Sequence, residues 1–99
     1  MGAYRFTETA REDLIAIWVY SYDTWGEAQA DCYQADLHAC CERVAFGHGY
    51  TKCVPGMADI KFYHCRHHYL FFVPEDPVVV IAVLHERMDL IRRLRERLE

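Results

Sequence analysis

The chain has 99 residues, 53% of them hydrophobic and 26% charged, with a formal net charge of −4. That is enough for one domain with its own core, too apolar for a disordered segment, and too acidic for a general nucleic-acid binder. The charge is unevenly spread: three arginines stand against eight acids up to Ala45, and five arginines against four acids from Glu86 onward.

The cysteines are Cys32, Cys40, Cys41, Cys53 and Cys65. An odd count with no C-x-x-C pair and no signal-peptide pattern argues against a disulfide framework and for a reduced, cytoplasmic protein. No stretch is long and apolar enough to span a bilayer. No linker or repeat divides the chain, so residues 1–99 read as a single domain.

Tyr4-Arg5-Phe6 alternates as a short strand at or near a sheet edge. Thr7 is placed to cap a helix, with Thr9 and Glu12 offering an alternative capping box. Ala10, Leu14, Ile17 and Ser21 then share one helical face, with Trp18 on its shoulder. Ile15, Val19 and Tyr22 fall outside that stripe and widen the apolar surface. Thr24 and Glu27 have capping-box spacing, so a second helix is expected to start near Trp25 or Gly26. Its stripe is Tyr33, Leu37, Cys40 or Cys41, and Val44, and Gly47 ends it. So short a link makes the two helices an antiparallel hairpin.

Gly47 to Pro55 reads as a loop. Ile60–His64 and His67–Val73 read as strands turning at Cys65-Arg66, since Tyr63, Tyr69, Phe71 and Phe72 suit a pleated surface. After the breakers Pro74 to Pro77, the seven apolar residues Val78 to Leu84 read as a central strand buried on both faces. A final helix is expected over Asp89–Leu98, with Leu90 or Ile91, Leu94 and Leu98 on its apolar side. The expected fold is therefore α+β: an N-terminal strand, a helical hairpin packed on a small sheet containing a three-stranded antiparallel meander, and a C-terminal helix.

Four pieces of this order carry a resemblance. They are Tyr4-Arg5-Phe6-Thr7 leading to Ala10 and Asp13-Leu14; Trp25-Gly26-Glu27; Arg66-His67 before Tyr69-Leu70-Phe71-Phe72; and Val79 to Leu84 followed by His85-Glu86-Arg87-Met88-Asp89. Together they resemble the ParE toxins of the RelE/ParE superfamily, the toxin halves of bacterial type II toxin–antitoxin pairs. Cys65, where such toxins usually have Gly, and the cluster His64, His67 and His68 depart from the pattern. The resemblance implies a cytoplasmic growth inhibitor held inactive by a ParD-like antitoxin, with DNA gyrase as the usual target and no cofactor.

Three surfaces follow as candidates. Ile15, Trp18, Val19 and Tyr22 would line a groove for an amphipathic antitoxin helix. Arg66, His85 and Arg87 would form a rim for antitoxin or target. Arg92, Arg93, Arg95 and Arg97 would offer a target-engaging tail, unless they are simply a solvated helix face. The RNA-cleaving branch of the superfamily would instead use His85, Arg87 and Arg66 as catalytic groups. His64, Cys65, His67 and His68, with Cys53 and His85, include zinc-ligand types. Alternation along a strand splits them between faces, so no metal site is expected.

Overall fold

A computed structural model describes residues 3–98. Its elements are β1 (Tyr4–Phe6), α1 (Glu8–Trp25), α2 (Glu27–Ala45), β2 (Lys52–Val54), β3 (Met57–Cys65), β4 (His68–Val73), β5 (Val78–His85) and α3 (Leu90–Leu98). The strands form one sheet in the order β1-β5-β4-β3-β2, with β1 parallel to β5 and the other neighbours antiparallel. The apolar run of β5 is thus interior, but one position off centre, and β4 is the middle strand.

The α1–α2 hairpin lies on one face of the sheet and α3 on the other, which is why β5 is apolar at every position from Val78 to Leu84. Val78, Val80 and Val83 join Leu14, Leu37, Val44, Leu70 and Phe72 on the hairpin side. Val79, Ile81, Ala82 and Leu84 join Ile60, Phe71 and the fully buried Leu94 on the α3 side. Ile81 and Ala82 share a side because the β4–β5 pairing passes from Phe72 opposite Val80 to Phe71 opposite Ala82, leaving Ile81 as an extra, bulged residue.

Thr7 caps α1 as expected, its hydroxyl accepting from the Ala10 N–H at 3.2 Å. The second cap differs from expectation. Helix α1 runs on to Trp25, the Thr24 hydroxyl donates to the Tyr20 carbonyl instead, and Gly26 caps α2 without a side-chain bond. At φ +94° and ψ 175°, Gly26 occupies backbone space that a side chain strongly disfavours, so one residue suffices to reverse the chain. Gly47, at φ +79°, closes α2 as expected: its N–H bonds the Val44 carbonyl while that of His48 reaches Arg43, a Schellman closure.

Two further boundaries are corrected. The stretch taken as loop contains β2, which pairs Lys52 with Phe62 and Cys53 with Lys61. The β3–β4 turn is Arg66-His67 rather than Cys65-Arg66, with Cys65 paired to His68 and Arg66 left-handed at φ +59°.

Past Val80, β5 has no strand on its outer side, because β1 reaches only Val78–Val80. Side chains close that edge. Asp13 accepts from the Val83 N–H at 3.0 Å, and Arg97 donates to the Ile81 carbonyl at 2.9 Å. Arg97 also pairs with both Asp13 oxygens at 3.0 Å. One ion pair thereby ties α1, β5 and α3 together. No helix among the described residues is long and apolar enough to cross a membrane.

Candidate functional site: an apolar groove at the end of the sheet

The groove lies where the flank of α1 overhangs the far ends of β4 and β5. Ile17, Tyr20 and Trp25 of α1 supply its apolar wall, Met88 closes one side, and Tyr33 of α2 with His67, His68 and His85 forms the polar end of a cavity of 360 Å³. Tyr20 and Trp25 are 65% and 63% exposed yet pack edge to face at 6.0 Å, so they stand ready to be covered rather than already buried.

The polar end is tightly wired. The Tyr33 hydroxyl accepts from the His67 N–H at 3.1 Å and lies 2.6 Å from His68 Nδ1. Its own proton is therefore free to go to Nδ1, which leaves His68 neutral with its hydrogen on Nε2. Burial, with His85 and His67 as neighbours, pushes the His68 pKa down to about 4. The Tyr33 phenol is raised, chiefly by burial. Outside the groove Glu86 bridges His64 and His67 at 2.9 and 3.1 Å, and these hydrogen bonds hold its carboxyl below the usual range.

The predicted residues distribute unevenly around this site. His85 lines the groove, and its Nδ1 accepts from the Arg87 N–H at 3.1 Å; Arg87 itself is exposed. Arg66 does not line the groove: its Nε and Nη2 both donate to Asp36, at 2.9 and 2.6 Å, and this pairing raises the pKa of the Arg66 guanidinium. Trp18 and Tyr22 stack on each other at 5.1 Å, and Trp18 Nε1 donates to Asp31 of α2, so this pair covers the seam between the two helices. Ile15 and Val19 are exposed on the outer side of α1. Arg92, Arg93 and Arg95 are exposed on α3, whereas Arg97 is held by Asp13.

Sequence reasoning missed Tyr20, Trp25, Tyr33, His68 and Met88. The available signal was the spacing of Ala16 and Tyr20, a second helical flank beside the core stripe. Only the tertiary contact shows which flank meets the end of the sheet.

One expectation is overturned. Cys40 of α2 and Cys65 of β3 are joined by a disulfide, against the reading of an entirely reduced chain. Sequence spacing could not reveal a pair 25 residues apart that packing brings together. With Cys65 bonded, the zinc-ligand set loses a member, and no group of three potential ligands among the described residues is arranged to hold a metal.

Residues 4–90 match the family model described as ParE toxin of type II toxin–antitoxin system, parDE. The chain belongs to the ParE toxin family. It is 40% identical to Toxin ParE of Escherichia coli, over 100% of this chain and 99% of that one. It is 31% identical to Toxin ParE1 of Caulobacter vibrioides, over 90% and 94%. A chain from the chromosomal ParDE TA system of P. aeruginosa has the same fold, with a TM-score of 0.67 at 15% identity over 86% of this chain and 96% of that chain. ParE membership is therefore carried by sequence over nearly the whole length, including the α1 flank and the β4–β5 ends that build the groove.

Proposed function

We propose that this ParE-type toxin of a type II toxin–antitoxin system acts in the cytoplasm as one domain, by binding rather than catalysis, with DNA gyrase as its target. In this reading a ParD-like antitoxin neutralises it by covering the groove beside α1. The observation that carries the antitoxin assignment is the pairing of an open apolar cavity with exposed Tyr20 and Trp25 on the same helix flank. Large exposed aromatics around a concave apolar surface mark an interaction site, and an amphipathic helix would fill it with anchors three and four residues apart. Ile15 and Val19 extend the contact over the outer side of α1, with Trp18 and Tyr22 at its border. His85 contributes to the groove and Arg87 to its rim. The exposed Arg92, Arg93 and Arg95 form the face offered to the target, with Arg97 anchoring the helix that carries them.

A binding mode is supported over RNA cleavage by the dispersal of the catalytic candidates. Arg66 is neutralised by Asp36 and is not among the residues of the groove that His85 lines. A general acid, a general base and a phosphate clamp need to converge on one ribose.

Expression without the antitoxin is expected to arrest growth and induce the DNA-damage response while transcripts stay intact. Cut transcripts would move the assignment to the RNA-cleaving branch. Trp25→Ala is expected to weaken antitoxin binding by about 2 kcal/mol, the scale of an interface anchor, with little change in Tm. Unchanged affinity would remove the groove from the interface.

A further inference from the structure

The polar end of the groove is fastened to α2 by three separate links. Asp36 holds Arg66 at the left-handed turn. Tyr33 holds the His67 N–H and the His68 ring. One turn further along α2, Cys40 is bonded to Cys65, the last residue of β3. The first two links are hydrogen bonds; the third is the covalent one.

The surroundings of Cys65 suit two states. Its sulfur lies 3.7 Å from the Asp36 carbonyl oxygen. In the bridge that sulfur has no hydrogen, so the contact is not a hydrogen bond. As a thiol it would have an S–H, and the carbonyl is already placed to accept it. The buried Cys65 would thus be satisfied whether bridged or reduced, while the partly exposed Cys40 gives a reductant a point of attack. In a reducing compartment, a protein disulfide is more often transient and sensing than structural.

We propose that Cys40 and Cys65 form a thiol–disulfide switch that sets how firmly the hairpin end of the groove is held, and thereby how tightly the groove takes the antitoxin. The proposal rests on the groove being the antitoxin's seat. A thiolate of a cellular dithiol attacks Cys40 Sγ, breaking the bridge and forming a mixed disulfide. The second thiol of the reductant then displaces Cys40. Two electrons and two protons end on Cys40 and Cys65, and the reductant leaves as its own disulfide. Exchange with glutathione disulfide reverses the change. The bridged form is the preorganised one, because α2 and the strand end that positions His67 and His68 cannot separate, so it binds more tightly.

The test uses the full chain equilibrated with either glutathione disulfide or dithiothreitol, with the Cys40–Cys65 peptide identified by mass spectrometry. The probe for the groove is the apolar dye anilinonaphthalene sulfonate, its site confirmed by loss of binding in Trp25→Ala. Reduction is expected to weaken dye binding about threefold to tenfold, on the scale of a lost preorganisation, and to speed amide exchange at residues 66–68. Cys40→Ser should behave as the reduced form in both buffers, and Cys32→Ser and Cys53→Ser should retain the response. Because the wild-type chain is compared in two buffers, the result stands even if Cys40→Ser folds poorly. Equal dye affinity and equal exchange in the two buffers, or no Cys40–Cys65 peptide in the oxidised sample, would overturn the switch. An antitoxin that binds without displacing the dye would remove the groove reading instead, and would leave a redox effect on dye binding standing.

Discussion

The two halves of β5 are built from the same kind of residue and closed by different means. From Val78 to Val80 the outer edge is paired with β1, backbone to backbone, in a parallel register that begins with Tyr4 opposite Val78. From Ile81 to His85 it is closed by side chains: Thr7 and Arg97 on the Ile81 carbonyl and Asp13 on the Val83 N–H. Backbone pairing is indifferent to side-chain identity, while a side-chain closure can be removed by one substitution. The first half is therefore robust and the second concentrates its stability in a few polar groups.

The sharpest way to break the comparison is Asp13→Ala. It leaves the largely buried Arg97 without its counter-ion and the Val83 N–H without an acceptor, and should cost about 3 kcal/mol, the lower end for breaking a buried pair, since both side chains keep some solvent contact. Urea unfolding measures it, and a loss below 1 kcal/mol would mean that water replaces Asp13 at the edge.

Next in size is a pH effect inside the same half, where His68 is paired with His85. His68 stays neutral in the fold with a pKa of about 4 against an ordinary 6.5. Below pH 6.5 the unfolded chain takes up a proton that the folded chain refuses, so stability is full above that pH and falls as pH drops toward 4. The loss should reach on the order of 2 kcal/mol. His68→Gln should flatten that part of the pH–stability curve; a variant curve parallel to the wild type would reject the assignment.

Arg97→Ala is expected to cost about 2 kcal/mol, less than Asp13→Ala, because Asp13 keeps its bond to Val83. A double-mutant cycle of the two positions should show coupling above 1 kcal/mol, since they share one network. At the small end, Arg5→Ala in the backbone-paired half should change stability by less than about 0.5 kcal/mol, as Arg5 is exposed opposite Val79. A larger loss would show that this half also depends on its side chains.

Much of the architecture was legible in the residues. Thr7 announces α1, Val78 to Leu84 announces a strand covered on both faces, and Leu94 announces the buried side of α3, because each rests on local periodicity or capping chemistry. What the sequence hid was decided by contacts between distant segments. Lys52–Val54 is a strand only because Lys61 and Phe62 lie beside it. Thr24 spends its hydroxyl on Tyr20 because α1 continues to Trp25, past the residue that its sequence offers as a cap for α2. Within the candidate site, His85 was visible as the polar break after an apolar run. Tyr33 and His68 were not, since 35 residues separate them and only the packing of α2 on the hairpin makes them partners.

The extra residue at Ile81 acts as a phase shift in the strand. Counting in twos from Val78 correctly puts Val80 toward the helical hairpin, then wrongly assigns Ala82 to the same side; after the bulge the hairpin side is read at Val83. Were the same eight residues to alternate without the bulge, Leu84 would pass from the α3 side to the hairpin side and His85 would turn away from the groove, whereas deleting Ile81 would leave both facing as they do. The bulge, and not the count of residues in β5, thus aims the groove's histidine.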